Sequence, residues 1–258
     1  LTSSRPAGRP GAPRVIVALD LPDFATATAM VDRLDGQADF FKVGLELFTA
    51  DGPRIVDWLS LRDADVFIDL KGLDIPNTVA GLARSARAQG ARLITVHASG
   101  GLAMLRAAVD GAGDQSEGGI LAVTVLTSMD GATLGEAWGR EEVEVGAEVA
   151  RLAGLARAAG AHGVVASGEE LSRLVGTHGS GLRVLVPGVR LAGGATHDQR
   201  RVVTPGGAAS AGASYVVIGR AVTAAADPAA AMAAVLSDVS GGVASWSAGM
   251  SGRVASSS

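Results

Sequence analysis

Residues 14–238 read as a single (β/α)8 TIM barrel of the α/β class. Eight short β-branched apolar runs alternate with longer Ala/Leu/Arg-rich stretches of helical spacing, the pattern of a parallel sheet with covering helices. The eight units occupy about 225 residues, close to the usual length of a closed barrel. Charged and polar residues gather at the carboxyl ends of the runs, where barrel enzymes carry their sites.

The strands read in order as RVIVALD (14–20), DFFKVGL (39–45), DVFIDLK (65–71), RLITVHA (92–98), ILAVTVL (120–126), HGVVAS (162–167), LRVLVPG (182–188) and SYVVIG (214–219). Most finish at or beside Gly, Asp, Lys or Ser, and their near-continuous apolar character is that of strands buried on both faces. Between them, ATATAMVDRL (25–34) has amphipathic helical spacing, and TVAGLARSARAQG (78–90) is closed by a glycine where helices stop. A doubly wound open sheet competes with the barrel. It is disfavoured because no G-x-G-x-x-G follows the first strand and no Walker A motif occurs.

Composition narrows the function. The 258 residues are 48% apolar and 19% charged, which is globular rather than disordered. A net charge of −4 argues against a dedicated nucleic-acid binder. The absence of cysteine removes disulfides, thiolate zinc sites and cysteine nucleophiles, and fits a cytoplasmic protein. No apolar run reaches the length of a membrane span. The opening LTSSRPAGRPGAPR has no apolar segment of a secretory signal, so residues 1–13 read as a floppy tail in preference to a transit peptide. Residues 239–258, rich in Ser and Gly, read as a second tail, in which Trp246 has no evident role.

The strand ends carry the chemistry. Asp20 closes the first run and Lys42 lies near the end of the second. Asp69 and Lys71 end the third, with Asp74 just beyond. His97 ends the fourth, Thr127 and Ser128 follow the fifth, Arg190 follows the seventh, and Gly219 and Arg220 follow the eighth. The amino ends show no comparable collection. Alternation along a strand puts Phe67, Asp69 and Lys71 on one face, and Phe40, Lys42 and Gly44 on one face of the neighbouring strand. Two lysines can then flank one carboxylate at the barrel mouth, where burial of each charge is tolerable as a network. Spacing leaves Asp74 open between a helix N-cap, ahead of Pro76, and a site residue. Asp20 is similarly open between a turn residue and a site residue. The loop 186–201, VPGVRLAGGATHDQRR, is Gly-rich and polar, and Gly193-Gly194 are candidate hinges. The last two loops of many barrels bind phosphate, for which Arg220 is the favoured candidate, with surface ion pairing as the alternative. The four histidines do not pair at metal-ligand spacing, and no G-x-S-x-G nucleophile motif occurs.

With these residues placed, the chain resembles the orotidine 5′-phosphate decarboxylases over roughly residues 14 to 236. The resemblance rests on VALD (17–20), FKVG (41–44), FIDLKGLDIPNT (67–78), VHASGG (96–101), AVTVLTSMD (122–130), PGVR (187–190), DQRRVVTP (198–205) and VIGRAVT (217–223). It implies decarboxylation of orotidine 5′-monophosphate to UMP, the last step of de novo pyrimidine synthesis, without metal or cofactor. It implies that Lys71 protonates the substrate, that Lys42, Asp69 and Asp74 complete an alternating Lys-Asp-Lys-Asp array, and that Asp74 serves the neighbouring subunit of a homodimer. By the same resemblance Ile75 and Thr78 contact ligand across the interface, Asp20 binds ribose, and Thr127, with Ser128 beside it, lies at the pyrimidine. Arg190, Gln199, Gly219 and Arg220 match phosphate and nucleotide contacts. Departures are mild: Gly72 and Leu73 stand where relatives often carry an aromatic residue and a histidine, and Ala221 where many have proline. Related sugar-phosphate barrels of the keto-gulonate phosphate decarboxylase or hexulose phosphate synthase type share D-x-K-x-x-D but use a divalent metal. The DIPNT and DQRR strings favour the nucleotide enzyme.

The array suits that reaction. Loss of CO2 from C6 of the pyrimidine leaves a carbanion in the ring plane, outside the π system. With no cofactor to act as electron sink, stabilisation must be electrostatic and preorganised. A lysine ammonium can meet the developing charge and then supply the proton.

Overall fold

The computed structural model describes residues 11–34, 36–191 and 203–254. Within them the strands are β1 (Arg14–Ala18), β2 (Phe40–Gly44), β3 (Asp65–Gly72), β4 (Ala91–His97), β5 (Gly119–Val123), β6 (Gly163–Val165), β7 (Arg183–Val186) and β8 (Tyr215–Ile218). The helices are α1 (Phe24–Arg33), α2 (Leu45–Ser60), α3 (Pro76–Ala88), α4 (Gly101–Ala112), α5 (Gly131–Trp138), α6 (Val145–Ala158), α7 (Gly168–His178), α8 (Pro205–Ser210), α9 (Arg220–Thr223) and α10 (Pro228–Val254). The strands pair in sequence order, all parallel, and β8 returns to β1, so the sheet closes. This is a (β/α)8 barrel.

Two apolar layers hold it. Ile16, Phe40, Phe67, Leu93, Leu121 and Leu185 point inward and fill the barrel interior. The residues of opposite parity, such as Val17, Val43, Ile68 and Ile94, pack outward against the helices. That alternation is why these strands read as continuous apolar runs: both faces are buried.

Helix boundaries follow local chemistry. Asp23 accepts a hydrogen bond from Thr26 N and starts α1, and Asp130 does the same for α5 through Thr133 N. After α3, Gly90 sits at a φ of +93° that other residues rarely adopt.

Two expectations need correction. The amino ends of the strands do carry a polar cluster. Arg14 contacts Asp39 and Asp65, Arg92 contacts Asp65 and Glu117, and Arg14 stacks on the Phe40 ring at 4.5 Å. Beside it, His162 Nδ1 lies 2.6 Å from the Gln115 carbonyl oxygen and Nε2 lies 2.8 Å from the Tyr215 hydroxyl. These residues start different strands or sit in the loops before them, so only closure of the barrel brings them together. The second concerns the segment expected as a tail, 239–258: α10 continues helical backbone through Val254. Gly242 is there for contact, because a Cβ on it would lie 2.1 Å from the Gly206 carbonyl oxygen of α8. A glycine that reads as linker is the close approach of two helices.

Candidate active site at the carboxyl rim of the barrel

The array is built from three adjacent strands. Lys42, two residues before the end of β2, is buried, and its Nζ donates to Asp20 Oδ1 at 2.6 Å. The same ammonium lies 3.4 Å from Asp69 Oδ2. Lys71 Nζ donates to Asp69 Oδ1 at 2.9 Å. Asp69 is therefore held between two ammonium groups. Burial pushes its carboxyl up, but the charges of Lys42 and Lys71 and the hydrogen bonds from Lys71 and Thr95 outweigh burial and hold it below the ordinary carboxylate value.

Gly44 shows how tightly this corner is set. A Cβ there would stand 2.9 Å from Asp20 Oδ1 and 3.0 Å from Lys42 Nζ. The ion pair passes over the glycine where a side chain would be.

Lys71 reaches the site by a route that simple alternation does not describe. The β3–β4 register shifts between Ile68 and Gly72, so four steps along β3 cover two along β4. Within this bulge Lys71 has a φ of +51°, rare for a residue with a side chain. Its backbone N–H finds no ladder carbonyl and donates instead to Thr95 Oγ1 at 3.0 Å. Thr95 Oγ1 in turn donates to Asp69 Oδ1 at 2.8 Å. The sequence reading missed Thr95. The available signal was its parity: it shares the inward face of β4 with Leu93 and His97, next to the strand of Asp69.

Asp74 does not cap α3. The N-cap is Ile75, and Asp74 Oδ1 accepts from Ile75 N at 2.6 Å. Asp74 is exposed, as are Leu73, Ile75 and Thr78 around it. His97 lies close enough that Lys71 lowers its pKa, after burial as the larger cause, while Asp69 opposes. Thr127 and Ser128 follow β5, half-buried and exposed in turn. Arg190 N donates to Val203 O at 3.1 Å, tying together the two ends of the loop after β7. Gly219 and Arg220 begin α9 directly after β8. All of these stand at the carboxyl rim with the array. Gln199 and the hinge glycines Gly193 and Gly194 lie outside the described residues. A cavity of about 360 Å3 opens between Asp130, Glu144 and Arg173, and no residue of the array lines it. Asp130 and Glu144 there already cap α5 and α6.

The fold and this site together define a class: (β/α)8 barrel proteins with an interleaved lysine–aspartate array at the carboxyl rim. Comparison with known proteins narrows it. The model of the orotidine 5′-phosphate decarboxylase / HUMPS family matches residues 13–235, and the chain belongs to that family. Among its relatives, the orotidine 5′-phosphate decarboxylase of Halorhodospira halophila is 48% identical over 235 residues, covering 89% of this chain and 97% of that protein. The orotidine 5′-phosphate decarboxylase of Moorella thermoacetica is 48% identical over 232 residues, covering 88% and 92%. The crystal structure of orotidine 5′-phosphate decarboxylase from Lactobacillus acidophilus superposes with a TM-score of 0.76 at 35% identity, covering 88% of this chain and 99% of that one.

Proposed function

We propose that this chain is a carboxy-lyase that converts orotidine 5′-monophosphate to UMP and CO2, closing de novo pyrimidine nucleotide synthesis. The observation that carries the reading is the ionised Asp69 held between the Lys42 and Lys71 ammonium groups at the barrel rim. As the C6–carboxylate bond breaks, its electron pair stays on C6. Lys71 stabilises that charge and gives its proton to C6, and the proton is replaced from solvent. Asp69 holds the Lys71 ammonium in place, and Lys42 braces Asp69 from the other side. Charge placed in advance needs no reorganisation during the reaction, and each such group is typically worth about 10²–10³ in rate. No step calls for a metal or a cofactor.

The remaining assignments belong to the same proposal. Asp20, already on Lys42, takes the ribose hydroxyls. Thr127, with Ser128, borders the pyrimidine. Arg190, Gln199, Gly219 and Arg220 hold the phosphate, whose remote binding energy assists the chemical step. The working form is a homodimer in which Asp74 completes the neighbouring site, with Ile75 and Thr78 reaching the same ligand. Supporting this, among the described residues Lys71 has a single carboxylate partner, Asp69, while exposed Asp74 sits between Leu73 at 58% exposure and Ile75 at 66%. Large apolar side chains exposed around a charge fit a face that a second copy covers. Among the described residues no helix is long and apolar enough to cross a membrane, and a cytoplasmic location follows from the proposed metabolic role.

The test is direct. Incubation with orotidine 5′-monophosphate should remove the orotate absorbance and yield UMP. Unchanged absorbance overturns the reading.

A further inference from the structure

We infer that Thr95 is a positioning residue for the decarboxylation, because its one hydroxyl fixes both the bulged backbone that presents Lys71 and the carboxylate that aims it. The inference rests on the function proposed above. Thr95 is buried to 1% exposure in a strand otherwise apolar or half-exposed, so its hydroxyl has no solvent alternative. It uses both of its roles. The oxygen accepts from Lys71 N at 3.0 Å, and the hydroxyl hydrogen goes to Asp69 Oδ1 at 2.8 Å. Lys71 Nζ closes the ring by donating to that same Asp69 oxygen at 2.9 Å.

The geometry explains why a side chain is needed there. At a φ of +51° Lys71 occupies a region that disfavours residues with a Cβ by about 1–2 kcal/mol, and such conformations persist where their surroundings over-determine them. The register shift takes its N–H out of the ladder, and the Thr95 oxygen supplies the missing acceptor. Without it, the N–H and the Asp69 oxygen each lose a buried partner, and nothing else on β4 links the two. With Thr95 buried and its hydroxyl engaged by Lys71 N and Asp69 Oδ1, its effect on the reaction runs through Lys71 and Asp69.

Thr95→Val keeps the shape and removes the hydroxyl. Thr95→Ser keeps the hydroxyl, and Thr95→Cys keeps the volume with a weaker donor. With wild type active on orotidine 5′-monophosphate, kcat should fall about tenfold in Thr95→Val, by less in Thr95→Cys and within about twofold in Thr95→Ser, while KM stays within about threefold. The acid limb of the kcat profile should move to higher pH in Thr95→Val, since Asp69 loses a donor to its ionised form. Equal kcat in all three variants, or a serine variant as poor as valine, overturns the inference. Should Thr95→Val not fold, the serine–cysteine order decides. An inactive wild type would count against the proposed function alone. Exchange of the Lys71 amide hydrogen, slow in wild type and Thr95→Ser and fast in the hydroxyl-free variant, then tests Thr95 without turnover, and an unchanged rate sinks it.

Discussion

Lys71 and Gly44 show two ways in which one residue decides the site. In the proposed mechanism Lys71 meets the developing carbanion, so Lys71→Ala should reduce turnover by at least about 10³-fold. The substitution leaves the buried core untouched, so melting should shift by only a few degrees. Turnover within about tenfold of wild type would exclude Lys71 as the proton donor. Gly44 makes no chemical contribution of its own. Its absent Cβ is the space that the Asp20–Lys42 pair occupies. The atoms that Gly44→Ala would strike are the far ends of two flexible side chains, which can move aside cheaply. The fold should therefore tolerate the methyl group while the site does not. kcat/KM is expected to fall by at least about tenfold, at a melting temperature within a few degrees of wild type. A loss of stability with normal activity in the folded fraction would contradict this.

Two elements pull the barrel in opposite directions. At the carboxyl rim, β3 gives up regular pairing with β4 and holds Lys71 in a rare backbone conformation. At the amino end, the strands are tied by a polar floor. The Gln115 carbonyl can only accept, so His162 Nδ1 carries the proton and Nε2 accepts from the Tyr215 hydroxyl. Tyr215→Phe strands that buried nitrogen and should cost about 1–3 kcal/mol of stability, with kcat unchanged. The floor also sets a pH dependence. Burial, the largest cause, and the charges of Arg183, Arg92 and Arg87 push the His162 pKa below its ordinary value of 6.5, against the opposing hydrogen bond to Gln115. Below about pH 6.5 the unfolded chain takes up a proton that the folded chain resists, so stability falls as pH falls. The melting temperature should drop between about pH 7.5 and about pH 5.5, and less steeply in His162→Gln. Identical slopes would mean that His162 contributes nothing to the acid sensitivity.

For the whole molecule, the proposed homodimer makes an arithmetic prediction. Lys71→Ala and Asp74→Ala should each be inactive alone. In a mixed dimer, one site combines the intact Lys71 of one chain with the intact Asp74 of the other. Random reassociation of equal amounts should then restore roughly a quarter of wild-type activity. No recovery after confirmed exchange would show that Asp74 serves its own chain or none. Treatment with a strong chelator should leave the rate unchanged, whereas a metal-dependent member of the same barrel superfamily would lose it.

The sequence by itself determined the barrel, because eight apolar runs buried on both faces and separated by amphipathic stretches admit few other closed arrangements. It also determined that Asp20, Lys42, Asp69 and Lys71 share one rim, since each lies at a strand's carboxyl end and parallel strands present those ends together. Only the tertiary structure decided how Lys71 gets there. A bulge depends on the pairing of two strands, and the parity of β3 alone does not reveal it. The same holds for Thr95, whose hydroxyl has meaning only against the neighbouring strand. It holds also for the Arg14–Asp65–Arg92 floor, whose members come from strand starts far apart in the chain. Gly242 reads as linker until α8 packs against it. In each case the deciding interaction is between residues distant in sequence, and it exists only once the barrel has closed.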